Sequence, residues 1–301
     1  MIRVADHSYE SLKEALDHIP SDNDQEVIIN LLGNTIHGQY EIDKPYITLI
    51  NGTIENDYGA YEILSDGIKR GTFNTYTLFI NADRVRLKNV TVLNSNGYKE
   101  GQAIALMVDG DDFKAEHCKI SSYQDTLFIA PLPDQEFEKG GFRGPLENKE
   151  RICRHTYFED CLIEGSIDFI FGGGFAYFHN CEIRSRNIHK EINGYVFAPS
   201  TAEKEKYGFI CEKCRFTSEE DMDSSVYLGR PWREYGKCLI AKSRIGSHII
   251  ADGYDDWGKD REHCEFKEYH NSGLTKGRVS WMKETDDEDI NFIKTLSKEE
   301  K

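Results

Sequence analysis

Apolar positions follow a helical period only near the start of the chain. Leu12, Ala15, Leu16 and Ile19 fall at i, i+3, i+4 and i+7, with Ser8 available as a cap and Pro20 as a stop. A short helix between Ser8 and Pro20 is therefore expected. At that length it is stable only with its apolar face packed, so it should plug one end of the fold. After Asp22 the pattern changes to short β-type runs, such as Val27-Ile-Ile-Asn-Leu-Leu32, Tyr46-Ile-Thr-Leu-Ile50 and Tyr76-Thr-Leu-Phe-Ile80. Gly, Asn and Asp punctuate them, as turns between many short strands require.

The runs repeat. Leu87-Lys-Asn-Val90-Thr-Val92, Ala115-Glu-His-Cys118-Lys-Ile120, Phe158-Glu-Asp-Cys161-Leu-Ile163, Phe178-His-Asn-Cys181-Glu-Ile183 and Cys211-Glu-Lys-Cys214-Arg-Phe216 align, with a weaker copy at Ala241-Lys-Ser243-Arg-Ile245. The aligned positions are 28, 43, 20, 33 and 29 residues apart, and the longest step holds a loop-like insertion from Pro131 to Asn148. Strand composition at this period predicts an all-β solenoid of stacked coils, each burying its inner face against its neighbours. The recurring Cys or Val, with an apolar residue two positions later, reads as an inward-facing ladder. A leucine-rich solenoid lacks its consensus here, and a two-sheet sandwich fits poorly with so long an insertion.

The same register singles out two acids. Asp125 and Asp168 each lie seven residues beyond an aligned cysteine, Cys118 and Cys161. Stacked coils lie about 4.7–4.9 Å apart, so equal offsets predict a close carboxyl pair on one face. An aspartate after a strand is usually a turn residue. Asp168, however, sits inside Ser-Ile-Asp-Phe-Ile-Phe-Gly, where an unpaired charge is costly.

Bulk properties narrow the partners. A net charge of −16 argues against nucleic acid and anionic lipid surfaces, and against long-range attraction to a polyanion. No stretch approaches a membrane span, and Met-Ile-Arg-Val-Ala-Asp-His has no apolar leader, so a cytoplasmic protein is expected, or a secreted one if a leader has been removed. The eight cysteines then read as free thiols. Cys211-x-x-Cys214 lacks a second ligand pair at suitable spacing, so no metal is expected there. Gly110-Asp-Asp112 reads as a turn at a strand start, and Trp257 and Trp281 as packing residues.

An ordered series of motifs resembles the pectin methylesterases. It comprises Gly38-Gln-Tyr-Glu41, Thr72-Phe-Asn-Thr, Gln102-Ala-Ile-Ala-Leu106, Tyr123-Gln-Asp-Thr-Leu127, Asp168-Phe-Ile-Phe-Gly172 and Leu228-Gly-Arg-Pro-Trp232. Gly253-Tyr-Asp-Asp-Trp257, Glu268-Tyr-His-Asn-Ser-Gly273 and Arg278-Val-Ser-Trp281 follow, so the resemblance runs from about residue 5 to residue 282. It implies a right-handed parallel β-helix over residues 1–283; residues 284–301 read from their charge as an acidic, solvated, loosely docked tail. It also implies hydrolysis of galacturonate methyl esters in pectin or methylated oligogalacturonides, without a cofactor and by a monomer.

Residue by residue, the resemblance implies Asp168 as nucleophile and Asp125 as acid and base. Gln102 and Gln124 become oxyanion donors, and Arg230 the partner of Asp168. Trp232, Phe171, Thr72 and Phe128 are expected to line the sugar groove, Phe128 standing where some relatives carry tyrosine. Tyr254 replaces the first tryptophan of a Gly-Trp-x-x-Trp segment, and the long Pro131–Asn148 loop looks like that of bacterial members. No Gly-x-Ser-x-Gly elbow supports a serine route. Two neighbouring carboxyls suffice if their pKa values are driven apart: Arg230 would hold Asp168 ionised, while Asp125, walled by Phe128 and Phe171, starts protonated. A pectin depolymerase on the same solenoid, or a non-catalytic relative, are the alternatives. The first lacks its acidic and basic motifs, and the second requires a missing catalytic residue. The charge and the absent leader favour a cytoplasmic enzyme trimming imported methylated oligomers.

Overall fold

The computed structural model describes residues 1–220 and 222–299. Short strands wind as a parallel β-helix. Seven of them form one sheet: Tyr40–Ile42 (β1), Leu78–Ile80 (β2), Leu106–Val108 (β3), Leu127–Ile129 (β4), Ile170–Gly172 (β5), Gly194–Pro199 (β6) and Val226–Gly229 (β7). Each pairs in parallel with the next, so chain order is spatial order. All the other described strands join an 18-stranded sheet that wraps the opposite side of the core.

The repeat alignment is the physical register of that larger sheet. Val92, Ile120, Ile163, Ile183, Phe216 and Ile245 pair directly in one column, extended upstream by Ile54 and Ile36. Between the two strands of successive coils stands one residue in the left-handed region. Asn51, Asn89, His117, Asp160, Asn180, Lys213, Lys242 and His270 have φ of 57°, 53°, 52°, 52°, 51°, 56°, 48° and 50°. Asn, Asp and His tolerate this conformation best, which explains the polar residue before each aligned cysteine. The kink turns the next residue inward, and Val90, Cys118, Cys161, Cys181 and Cys214 all lie in the core.

The cysteines are free thiols, as expected, and their ladder is a packing device. The Cys161 thiol donates to the Ala115 carbonyl at 3.3 Å, and the Cys118 amide donates to the Cys161 sulfur at 3.4 Å. Burial pushes the Cys181 and Cys214 thiols well up, so they stay protonated and inert. Aromatic rings fill the wider part of the core, with Phe158 stacked on Phe178 at 4.8 Å.

Both ends differ in detail from the sequence expectation. The first helix, α1, is Leu12–Asp17, capped by Ser11, whose hydroxyl accepts from the Glu14 amide at 3.1 Å. Ser8 lies instead in the strand His7–Tyr9, paired antiparallel with Ile2–Val4. Leu12, Ala15 and Leu16 are buried against the first coils, so the plugging role holds. The acidic tail is not simply solvated. Asp287–Glu299 forms a second helix, α2, whose Ile293 and Leu296 are buried against Phe175, Tyr177, Ile210 and Leu239. Phe292 stacks on Tyr207 at 4.1 Å. The acids read as a solvated run are the first turn of α2, where Asp287, Glu288 and Asp289 face the positive end of the helix dipole. Residues 300 and 301 of that tail lie outside the described residues. No described helix is long and apolar enough to cross a membrane.

The Phe158–Phe178 stack carries a stability prediction. Phe178→Ala removes a fully buried ring from both neighbours, and a loss of about 3–5 kcal/mol is expected. Urea unfolding reads it as a lowered midpoint at unchanged slope; a loss below about 1 kcal/mol would mean the column does not hold the core.

Candidate active site

Leu127 of β4 pairs with Ile170 of β5, so Asp125 and Asp168, each two residues earlier, occupy equivalent places on adjacent coils. The ladder stays closed around them. The Asp125 amide donates to the Ile167 carbonyl at 3.0 Å, and the Leu127 amide donates to the Phe169 carbonyl at 2.8 Å. Both aspartates are left-handed, with φ of 61° and 48°. Such strain persists only where surrounding bonds over-determine it. It turns both side chains out of an otherwise apolar run and into one cleft.

Gly172 closes the Asp-Phe-Ile-Phe-Gly motif for a steric reason. A Cβ there would lie 2.0 Å from the Ile129 carbonyl oxygen, so only glycine lets β5 approach β4 this closely. Arg230 follows β7 and reaches back across β6. Its Nε donates to Oδ1 of Asp168 at 2.8 Å and its Nη2 to Oδ2 at 2.6 Å, a two-pronged pair in which both partners are largely buried. The guanidinium is itself clamped, 3.6 Å from the Tyr195 ring centre and 3.7 Å from that of Trp257. Cation–π contact on both faces compensates part of the hydration lost on burial.

Electrostatics separates the two acids. Asp125 is only 9% exposed; burial, then the Asp168 charge, pushes its carboxyl well above the ordinary value, while Arg230 and the Gln124 side chain oppose this. Burial also raises Asp168, against the lowering effect of its hydrogen bonds and charge pairing with Arg230. Arg230 thus offsets the effect of burial on Asp168 without reversing it. It keeps Asp168 the easier of the two to ionise, and the ordering required of an acid and a nucleophile stands.

The cleft encloses about 640 Å³ and opens to solvent. Gln102, Gln124, Asp125, Asp168, Arg230, Trp232, Phe171 and Thr72 all line it, as the sequence predicted. Phe128 does not. It is fully buried one layer deeper, its ring 5.0 Å from Phe73 and 4.9 Å from Phe171, within the aromatic cluster beneath the cleft wall. Trp257, assigned to packing from sequence, is 38% exposed on the cleft and stacks on Arg230. Phe73 and Phe142 complete the wall. Phe73 stood inside a motif already singled out, beside Thr72. Phe142 belongs to the Pro131–Asn148 insertion, where no periodicity marks which residue returns to the body. The Gly110-Asp-Asp112 pair is a turn: Asp111 accepts from the His155 amide at 2.8 Å and Asp112 pairs with Arg86 at 2.8 Å.

A profile of the pectinesterase family matches residues 3–139 and 151–294. A pectinesterase of Petunia integrifolia is 29% identical over 294 residues, covering 91% of this chain and 71% of that protein. The chain spans about half or less of several longer plant relatives, among them a tomato pectinesterase/pectinesterase inhibitor at 45% of its length. The structure of a pectin methylesterase from Yersinia enterocolitica superposes with a TM-score of 0.78 at 24% identity, covering 94% of this chain and 96% of that one. A pectin methylesterase in complex with a hexasaccharide gives 0.74 at 24% identity, with 94% and 91% covered. These relatives include both plant and bacterial proteins, so the bacterial affinity suggested by the insertion is not singled out. On this match, which takes in both aspartate motifs and every coil between them, the chain belongs to the pectinesterase family, the carboxylic ester hydrolases of pectin methyl esters.

Proposed function

We propose that the chain hydrolyses methyl esters of galacturonate in pectin or in methylated oligogalacturonides, with Asp168 as nucleophile and Asp125 as acid and then base. The observation that carries this division of labour is the asymmetry of the pair. Asp168 holds the bidentate bond to Arg230, and Asp125, raised further, is its protonated neighbour. The hexasaccharide bound to a similar pectin methylesterase supports an oligosaccharide as the occupant of the cleft.

In the first half-reaction an Asp168 oxygen attacks the ester carbonyl, forming a carbon–oxygen bond and a tetrahedral oxyanion. The Gln102 and Gln124 amides donate to that oxyanion; the Gln124 amide has two N–H groups, so its contact with Asp125 leaves one available. Collapse breaks the bond to the methoxy oxygen, which takes the Asp125 proton and leaves as methanol. In the second half-reaction ionised Asp125 takes a proton from water. The resulting hydroxide attacks the acyl carbon of the anhydride, and Asp168 departs as carboxylate on Arg230. Charge returns to its starting distribution. Trp232, Trp257 and Phe171 supply an apolar wall against which a pyranose face can rest.

Methanol release from defined methylated oligogalacturonides tests the roles. Asp168→Ala is expected to lower kcat by at least about 1,000-fold, and most of the wild-type rate surviving would remove Asp168 from the chemistry. Gln102→Ala and Gln124→Ala should each cost about 100-fold or more. Product chain length separates this reading from depolymerisation, since methanol must appear without shortened chains.

The pKa ordering has two further consequences. The pH profile of kcat/KM should be bell-shaped, with its acid limb set by ionisation of Asp168 and its alkaline limb by loss of the Asp125 proton. Asp125→Asn should abolish the alkaline limb in whatever activity remains. The same shift acts on folding. Below about pH 4 Asp125 is protonated in both folded and unfolded chains. As pH rises toward its folded pKa, only the unfolded chain ionises, and wild type loses stability. The Tm of Asp125→Asn minus that of wild type should therefore grow more positive from about pH 4 upward; a flat difference would mean that Asp125 is not raised.

A further inference from the structure

The turn that carries the acid is held from outside the cleft by one arginine. Residues 122–126 connect the strand Lys119–Ser121 to β4 and include Gln124 and Asp125. Arg186, half-buried, follows the strand Glu182–Ser185 two coils further on, and its side chain runs back across the Asp168 coil. Its guanidinium lies over the Tyr123 ring, 3.7 Å from the ring centre. Nη1 donates to the Ser122 carbonyl at 3.2 Å and Nη2 to the Tyr123 hydroxyl at 2.9 Å, while Nε faces Oε1 of Glu219 at 3.5 Å. Arg230 reaches back to Asp168 over the same two-coil span.

The backbone ladder explains why a side chain is needed there. In this corner of the solenoid the Ser95 amide donates to the Asn56 carbonyl at 2.8 Å, Arg186 to Gly165 at 2.7 Å and Glu219 to Ser185 at 3.0 Å. Each bond joins the first residue beyond a strand to the last residue of the strand on the preceding coil. The same rule would send the Ser166 amide to Ser122, which stands opposite Gly165 in register. It goes instead to the Tyr123 carbonyl at 2.6 Å, joined by the Ser166 hydroxyl at 3.1 Å. The Ser122 carbonyl accepts from Arg186 in its place. The turn thus departs from the ladder just before Gln124 and the left-handed Asp125. The Gln124 carbonyl in turn accepts from the Ala103 amide at 3.0 Å, which tethers the residue after Gln102 to the same turn. Neither Arg186 nor Tyr123 is among the described residues that line the cleft.

We propose that Arg186 is a positioning residue for ester hydrolysis: through Ser122 and Tyr123 it sets the turn that aims Gln124 at the oxyanion and Asp125 at the leaving methoxy group. The proposal rests on the esterase reading for those two roles, whereas the brace stands on the geometry alone. Without it the turn presents both side chains over a wider range of positions, and a displacement of about 1 Å costs up to about 100-fold in rate. Arginine suits the task because one planar group lies over the ring and still donates to two oxygens, which an ammonium does not match. A looser turn also admits water to Asp125. The raised pKa of that carboxyl depends first on burial, with Asp168, Arg230 and Gln124 as the groups that face it, so solvation would return it toward its ordinary value. The acids beside Arg186 are Glu219 and Glu164, the latter also bonded to Lys119 at 2.8 Å and to the Ser121 hydroxyl at 2.7 Å.

Methanol release by the full chain tests this. Arg186→Ala should lower kcat about 10- to 100-fold with KM within about twofold of wild type, and the alkaline limb of its kcat/KM profile should move to lower pH. Tyr123→Leu, which leaves Arg186 without its ring and hydroxyl, should reproduce both changes more weakly. Because the two side chains form one brace, the double variant should lose about as much as the worse single variant. A kcat within about threefold of wild type, a loss of rate with an unmoved alkaline limb, or losses that multiply in the double variant would each overturn the proposal. If Arg186→Ala does not fold, Tyr123→Leu decides by the same rate and the same limb. Hydrogen exchange reads the brace without turnover: amides of residues 119–129 should exchange faster in the variants, and equal exchange overturns it. No methanol from wild type is failure of the esterase reading; methanol released equally well by wild type and Arg186→Ala is failure of this proposal alone.

Discussion

The site depends on one constraint, an unbroken register between two coils. Ala115 pairs with Phe158, Ile120 with Ile163 and Leu127 with Ile170, so the same 43-residue offset holds across three strands and the turns between them. Nothing in this coil bulges or slips before the catalytic turn. Because side chains alternate with period two, a single inserted residue between Cys118 and Asp125 would rotate that carboxyl to the other face of the sheet. The insertion from Pro131 to Asn148 comes after β4, once the acid has been delivered. Length variation is confined to where it adds cleft wall without disturbing the pair.

That register brings two carboxyls into a space from which water is largely excluded, which is unfavourable for both. Arg230 offsets the cost unequally, reaching Asp125 through its charge alone. Its two hydrogen bonds go to Asp168, and Tyr195 and Trp257 hold its plane so that the fork cannot swing toward Asp125. Burial, a like charge and one committed cation together make two chemically identical side chains unequal. The fold tolerates the residual cost because the core beneath is continuous, with inert thiols and stacked rings in place of further charge.

Much of this was legible in the sequence, for a physical reason. A solenoid repeats its environment at each coil, so the column Val92, Ile120, Ile163, Ile183, Phe216 and Ile245 could be read as a column before any coordinate existed. The line from Cys118 and Cys161 to the two acids followed from the same periodicity. The site roles themselves came from motif resemblance, which periodicity cannot supply. What stayed illegible lies off the repeat. Phe142 returns to the cleft from an aperiodic insertion, and Phe128 and Phe171 differ in depth although they pair in one register. Trp257 reads as packing until Arg230 is seen beneath it. The tail looked solvated because its acids were counted as charge, without regard to their place at a helix start.

The left-handed residues link the architecture to the chemistry. In the corner of the larger sheet such a residue recurs coil after coil, from Asn51 to His270, at a cost of about 1–2 kcal/mol each that is part of winding the solenoid. In the corner beside the smaller sheet the conformation is not architectural. Ile104 and Tyr195, which flank Asp125 and Asp168 in that column, do not have positive φ, whereas both acids are left-handed. The chain thus uses a kink its fold already tolerates, on the two adjacent coils where a side chain must leave the apolar run. Aspartate is among the few residues that accept the conformation, and it carries the group the ester chemistry needs. Backbone economy and catalytic requirement select the same residue at both positions.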